Sequence, residues 1–155
     1  MKRWILLCLV LLAAAVQAVE NGERLVPWTL NDQFDRSYTL DEQLRVLLVA
    51  RSMAGSKLLG AALEGRPQGY LEARHALFVA DISRMPSLVG KLFAIPKMRD
   101  YSYRVLLDRE AQVVPQYAAP EDGVLWLQLD HGVLRGRKVF TDAAALRAAL
   151  EQVVP

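Results

Sequence analysis

The sequence predicts an α/β fold: a central mixed β-sheet flanked by helices and entered through an N-terminal β-hairpin. Three observations carry this. Val46–Ala50, a continuous apolar run bounded by charge, suits a strand covered on both faces, and His75–Ile82 (HALFVADI) reads as a second buried strand. Helical segments separate them from each other and from a third strand. A late hairpin signal, Asp130-His131-Gly132, lies between two further strand-like runs.

The elements follow in order. Val26 to Leu40 reads as a short strand, a turn around Asn31-Asp32 and a second strand near Ser37–Thr39. Asp41–Leu44 makes one helical turn or a loop. After the strand at Val46–Ala50, Ser52 to Ser56 reads as a small-residue loop, and Lys57–Glu64 as a helix with Ser56 as its N-cap. The run Gly65-Arg66-Pro67-Gln68-Gly69 breaks that helix. Met85-Pro86 opens another, with Pro86 near its first position, running toward Phe93, and Pro96 is expected to end or kink it. Tyr103–Leu107 is a third buried strand, and Val113–Tyr117 a brief extended piece. Val124–Leu129 and Val133–Phe140 form the closing hairpin. Thr141 or Asp142 caps a final helix that turns Ala145, Leu146, Ala149, Leu150 and Val153 to one face. Trp28 and Trp126, within alternating strands, are expected in the core.

The N-terminus predicts export. Lys2 and Arg3 precede an uncharged apolar run, Trp4–Val16, and Val16-Gln17-Ala18 supplies small residues at the −3 and −1 positions of a cleavage site. The run is shorter than the roughly 20 residues that span a bilayer. Residues 1–18 are therefore expected to be a signal peptide, leaving no stable membrane anchor, and the destination is expected to be the periplasm. Residues 19–25 are polar and expected to be loose; residues 26–155 form a single domain.

Composition excludes several classes. Lys2 and Arg3 account for the formal net charge of +2, so the chain after residue 18 is neutral overall. That argues against nucleic acid as a partner, because phosphate contacts need a cationic surface. The single cysteine, Cys8, falls within the signal segment. The exported chain then has no thiol for disulfide exchange, peroxide reduction or thiolate metal binding. His75 and His131 stand alone, without a ligand cluster, so no metal is expected.

The element order, read with particular residues, resembles the thioredoxin fold in the form found in peroxiredoxin-like and TlpA-like exported proteins. Trp28 to Glu42 (WTLNDQFDRSYTLDE) is similar to that family's F-x-L-x-D-x-x-G-x-x-x-x-L entry hairpin. Val46 to Met53 is similar to its central strand leading into the active-site loop. Tyr103 to Asp108 resembles its inserted v-l-x-D strand, and Leu125 to Gly132 its f-l-I-D-x-x-G hairpin. The resemblance covers most of residues 26–153. It implies a redox Cys-x-x-Cys near Ala54–Lys57, where this chain reads Ala-Gly-Ser-Lys, and a proline before the late hairpin, where Asp122-Gly123 stands with Pro120 close by. The family's catalytic residues therefore carry over to no position here, and fold alone does not transmit function.

The site expectation follows from that edge. Ser52, Met53, Ala54, Gly55, Ser56 and Lys57, with the loop holding Pro120 and Gly123, are the candidate contact surface of a non-redox binding or accessory module. Its expected partner is an envelope protein or an extended peptide segment, with no cofactor. Two other readings stay open. One is an enzyme with non-thiol chemistry at Ser52 or Lys57, which needs a base near Ser52. Some small exported proteins of this kind are grouped with FAD/FMN-dependent dehydrogenases, but there is no G-x-G-x-x-G, no G-x-S-x-G and no P-loop here. The other is a structural envelope component. Arg84, Lys91, Lys97, Arg99 and Arg104, interleaved with Phe93, Tyr101 and Tyr103, form a basic stretch that is either a wet helix face or a docking surface for an acidic partner or anionic lipid headgroups. Arg135, Arg137 and Lys138 form a second basic patch, with Arg135 and Arg137 on one exposed strand face. Asp35, Asp41 and Glu42 read as loop solvation.

Overall fold

Strands β1 (Thr29–Asp32) and β2 (Ser37–Thr39) pair antiparallel, and β1 also pairs with β5 (Val105–Asp108). They form one side of a seven-stranded mixed sheet in the order β2-β1-β5-β4-β3-β6-β7 in a computed structural model that describes residues 18–155. The expected signal segment, with Cys8, lies outside the described residues apart from Ala18. Strands β3 (Val46–Ala50), β4 (Ala76–Asp81) and β5 run parallel, while β6 (Val124–Asp130) and β7 (Val133–Phe140) close the sheet antiparallel.

Period two decides which residues go to which face. Leu47 and Val49 of β3 enter one apolar cluster, and Val46, Leu48 and Ala50 enter the other. Both faces of β3 are therefore dry, which is why its sequence is apolar throughout. The connections β3 to β4 and β4 to β5 step across the sheet in one direction, so right-handed crossovers place both on one face. Leu59 of α1 (Met53–Ala62), Leu71 of α2 (Tyr70–Ala73), Ile95 of α4 (Ile95–Met98) and Leu146 of α5 (Ala143–Glu151) accordingly share one cluster. Strand, loop and 3₁₀ segments, and no α-helix, cover the opposite face, chiefly through Trp28, Leu40, Leu44, Val113 and Tyr117. There Trp28 Nε1 donates to Tyr117 Oη at 2.7 Å, satisfying two polar groups inside the core. Trp126 is buried on the helical side, packed against Phe140. Asp142 caps α5, accepting from the amides of Ala144 and Ala145.

Several local expectations are corrected. Asn31 and Asp32 lie in β1, and the turn falls at residues 33–36. The buried Asp32 carboxylate starts that turn by accepting from the Phe34 amide at 2.8 Å and the Arg36 amide at 2.9 Å. Helix α1 begins at Met53 and not at Lys57. Ser52, in extended backbone, is its N-cap, and its Oγ accepts from the Gly55 amide at 3.2 Å. The segment Val113–Tyr117 is not extended: Val114–Tyr117 is a 3₁₀ turn held by the buried Asp108 carboxylate, which accepts the amides of Gln112, Val113 and Val114. Pro96 does not end the helix that opens at Pro86. The helical path runs through α3 (Ser87–Val89), a π turn over Gly90–Ala94 and α4. In the π turn the Ile95 amide donates to the Gly90 carbonyl, one residue farther back than in an α-helix, just before Pro96, which has no amide hydrogen to donate.

Residues 19–25, expected to be loose, run beside the β6–β7 hairpin. The Gly22 amide donates to the Leu134 carbonyl at 2.7 Å, Leu25 donates to Gly132 at 2.9 Å, and the Leu25 side chain is buried.

Candidate functional site

The parallel strands β3, β4 and β5 all end at one edge of the sheet, the edge where open α/β sheets place their binding crevices. Ser52 follows β3 directly. Its Oγ donates to the Glu121 carbonyl while accepting from Gly55, so the hydroxyl is committed on both sides. The Glu121 carboxylate meets Arg51 at 2.9 Å and Arg84 at 3.1 Å. Beneath it Gly55 sits against Gly123: a Cβ on Gly55 would lie 2.4 Å from the Gly123 carbonyl oxygen, and one on Gly123 would lie 2.5 Å from that of Phe140. Only glycine permits either approach. The start of α1 is thereby fastened to the loop at residues 120–123.

The eight residues expected to form one surface are split by this contact. Gly55 and Gly123 are consumed by it, and Ala54 and Pro120 flank it. Ser52, Met53, Ser56 and Lys57 instead line a cavity of about 430 Å³ on the other flank of α1. Its floor is Phe78 and Ala80 of β4 with Val105 of β5. Gly60 and Ala61 leave room along α1. Ile82, Met85, Met98, Tyr101 and Tyr103 form the far wall. The volume falls within the range of small-molecule and side-chain pockets, and the lining is mostly apolar with a few polar groups. Every methionine of the described chain, Met53, Met85 and Met98, lines it. Flexible thioethers let such a wall adapt to its contents.

The aromatic wall is built with care for its polar ends. Tyr101 and Tyr103 stack with centroids 5.0 Å apart, and Tyr103 meets Phe78 edge-on at 6.3 Å. A Cβ on Gly60 would stand 3.3 Å from the Tyr103 hydroxyl, so Gly60 is what admits the ring's polar tip. Burial, and then the neighbouring Tyr101, push the Tyr103 phenol up to about 12, which keeps it a neutral donor. Gln33 positions this wall from the entry hairpin. Its Nε2 donates to the Met98 and Tyr103 carbonyls at 3.2 and 2.9 Å, and its Oε1 accepts the Val105 amide at 2.9 Å. Arg104 is likewise structural, with Nε 2.8 Å from the Asp32 carboxylate. Burial pushes the Asp32 carboxyl up, but the Arg36 and Phe34 amides and Arg104 outweigh it and hold its pKa below 3.8.

Among the described residues Lys57 forms no ion pair, and it is an exposed residue of α1 at the cavity's rim. Neither histidine reaches this edge. His75 precedes β4 and His131 follows β6, which places both at the opposite end of the sheet, where His131 Nδ1 lies 2.7 Å from Asp130 Oδ1. Asp41 caps a turn through the Gln43 and Leu44 amides, Glu42 pairs with Arg24, and Asp35 pairs with Arg109. Arg135 and Arg137 are exposed on β7, and Arg137 donates to the Tyr117 carbonyl. Among the described residues no group of three or more His, Cys, Asp or Glu is placed to hold a metal, and no helix is long and apolar enough to cross a membrane.

Sequence reasoning reached Ser52, Met53, Ser56 and Lys57 through their place after the central strand. It missed Phe78, Gly60, Met85 and Met98 as site residues, and placed Tyr101 in the basic stretch and Tyr103 both there and at the start of a strand, neither of them at the site. The recurrence of all downstream methionines around one cavity is a signal visible only once the chain is folded.

No protein-family model matches the chain, and no curated protein matches it in sequence. Solved structures do match. The thioredoxin domain of a thiol-disulfide oxidoreductase from Bacteroides vulgatus aligns with a TM-score of 0.57 at 14% identity, covering 89% of this chain and 100% of that one. A hypothetical protein from Sinorhizobium meliloti aligns with a TM-score of 0.57 at 21% identity, covering 88% and 85%. A thiol peroxidase from Chromobacterium violaceum aligns with a TM-score of 0.52 at 14% identity, covering 88% of each chain. At these identities the likeness establishes architecture. The chain has a thioredoxin-like fold that lacks a redox cysteine pair, its one cysteine, Cys8, standing ahead of the first strand in sequence.

Proposed function

We propose that the protein is an exported, non-redox binding module of the cell envelope that takes an apolar group of its partner into the cavity beside α1. One observation carries this reading. At the strand-to-helix junction where a redox motif would fall, Ser52, Met53, Ser56 and Lys57 open onto an adaptable apolar cavity walled by stacked tyrosines and methionines. The apolar floor supplies affinity through burial, and Ser56, Lys57 and the Tyr103 hydroxyl supply orientation. Export rests on the pattern of residues 1–18 and delivers the module to the periplasm. The partner is an envelope protein or peptide segment that offers an apolar side chain. The non-thiol enzyme reading is weaker at Ser52, whose hydroxyl is held between the Glu121 carbonyl and the Gly55 amide and, among the described residues, hydrogen-bonds to no histidine or carboxylate.

The test fills the cavity without touching the core. Ala61 is exposed on α1 and lines the cavity, so Ala61→Trp occupies the space and leaves the buried face of the helix intact. Protein cross-linked in its own envelope is expected to yield a defined adduct with the parent chain and at least tenfold less with Ala61→Trp. Equal adduct yields would move the interface away from the cavity.

A further inference from the structure

From Ile82 to Arg99 the chain carries four cations, Arg84, Lys91, Lys97 and Arg99, and no acid, although the chain after residue 18 is neutral overall. Among the described residues, four of the large hydrophobic side chains left exposed also fall in this stretch. Leu88 is 68% exposed, Val89 45%, Leu92 55% and Phe93 68%, and the following Pro96 is exposed too. The spacing i, i+1, i+4, i+5 puts these side chains on one face of the helical path from α3 to α4. The opposite side is anchored by the buried Gly90 and Ile95.

Cations border the stripe. Lys97 is exposed beside Pro96. Lys91 and Arg99 line a cleft of about 530 Å³ along the helix, together with Arg109, Ser83 and Ser87. Arg99 is held there by its Nε donating to the Gln33 carbonyl at 2.9 Å, and Arg109 by Asp35 at 3.7 Å. We propose that this helix docks the protein reversibly onto an anionic phospholipid bilayer, with Leu88, Leu92 and Phe93 entering the acyl boundary and Lys91, Lys97 and Arg99 meeting headgroup phosphates.

Two features favour a bilayer over an acidic protein. The stripe offers no hydrogen-bonding side chain, so it suits a fluid apolar phase that demands no directional match. The cations lie at its borders, where long aliphatic stems let charged ends reach headgroup depth while apolar neighbours go deeper. This surface is separate from the cavity beside α1, and the inference stands whether or not that cavity binds a partner.

The test uses residues 19–155, the chain that the expected cleavage leaves and that the structure describes as one sheet with its helices, so that the apolar, cationic run of residues 1–18 does not bind vesicles itself. Flotation is measured with phosphatidylglycerol-containing vesicles and with pure phosphatidylcholine vesicles. The parent is expected to prefer the anionic vesicles at least tenfold, and to lose that preference in high salt. Leu92→Glu/Phe93→Glu is expected to cut the binding tenfold or more. Lys91→Glu/Lys97→Glu is expected to abolish the anionic preference. Val139→Glu, at an exposed apolar position on β7, is expected to change nothing. A Phe93→Trp reporter reads the contact locally: its added emission should be quenched by lipids brominated on the acyl chain. An unquenched reporter on bound protein, or helix variants that float like the parent, would overturn the proposal. So would variants that lose an acidic envelope protein while vesicle binding stays intact, which would assign the surface to a protein partner.

Discussion

Gly55 and Gly123 are in backbone contact: a Cβ on the first would stand 2.4 Å from the carbonyl oxygen of the second. This one contact fastens the start of α1 to the loop before β6 and divides the expected surface in two. Gly55→Ala is expected to destabilise the fold by about 2 kcal/mol or more, because neither backbone can retreat. Gly123→Ala, facing the Phe140 carbonyl, is expected to cost as much. Ala54→Ser, one residue away and exposed, is expected to be neutral within about 0.5 kcal/mol. Urea denaturation of the three variants checks the contrast.

Gln33 is buried and makes three hydrogen bonds to the 98–105 segment. Gln33→Ala leaves the Val105 amide and two carbonyls without these partners, at a cost of about 1–3 kcal/mol. Because those bonds hold the tyrosine wall, amide exchange at residues 98–105 is expected to speed up more than at β3 or β6. Uniform acceleration across the sheet would show that Gln33 does not act locally.

Stability is expected to fall at both extremes of pH, for opposite reasons. Asp32 has its folded pKa below 3.8, so its contribution is complete above that value and is lost as pH falls through the folded pKa. Asp32→Asn is expected to be less stable at neutral pH and to show a flatter acid limb. Tyr38 and Tyr103 are both pushed up to about 12, chiefly by burial, with Asp41 adding at Tyr38 and Tyr101 at Tyr103. Their contribution is complete below pH 10 and is lost as pH rises from 10 towards 12. Replacing both with phenylalanine is expected to flatten that alkaline limb in thermal melts.

The parts legible in the sequence are those specified by local chemistry. The runs at Val46–Ala50 and Ala76–Asp81, the Asp130-His131-Gly132 turn and the Asp142 cap can each be read from a few neighbouring residues. The misplaced start of α1 has a tertiary cause. Ala54-Gly55-Ser56 looks like a loop because its residues are small, yet Gly55 is small so that helix and loop can touch. Likewise the 3₁₀ turn at Val114–Tyr117 depends on Asp108, which accepts its amides from the end of another element. The cavity was half legible. Ser52, Met53, Ser56 and Lys57 follow from a strand-to-helix junction, but Phe78, Met85, Met98 and Tyr103 come from three distant segments that only the sheet order brings together.

The proposed module binds through the cavity beside α1 and not across the fastened loop at residues 120–123. Photo-crosslinking in the native envelope tests it most directly, with the reactive residue placed at Met53, on the cavity, or at Asp122, on the exposed loop. A specific adduct is expected from position 53, suppressed by Ala61→Trp, and none from position 122. A specific adduct from position 122, with position 53 silent, would contradict it.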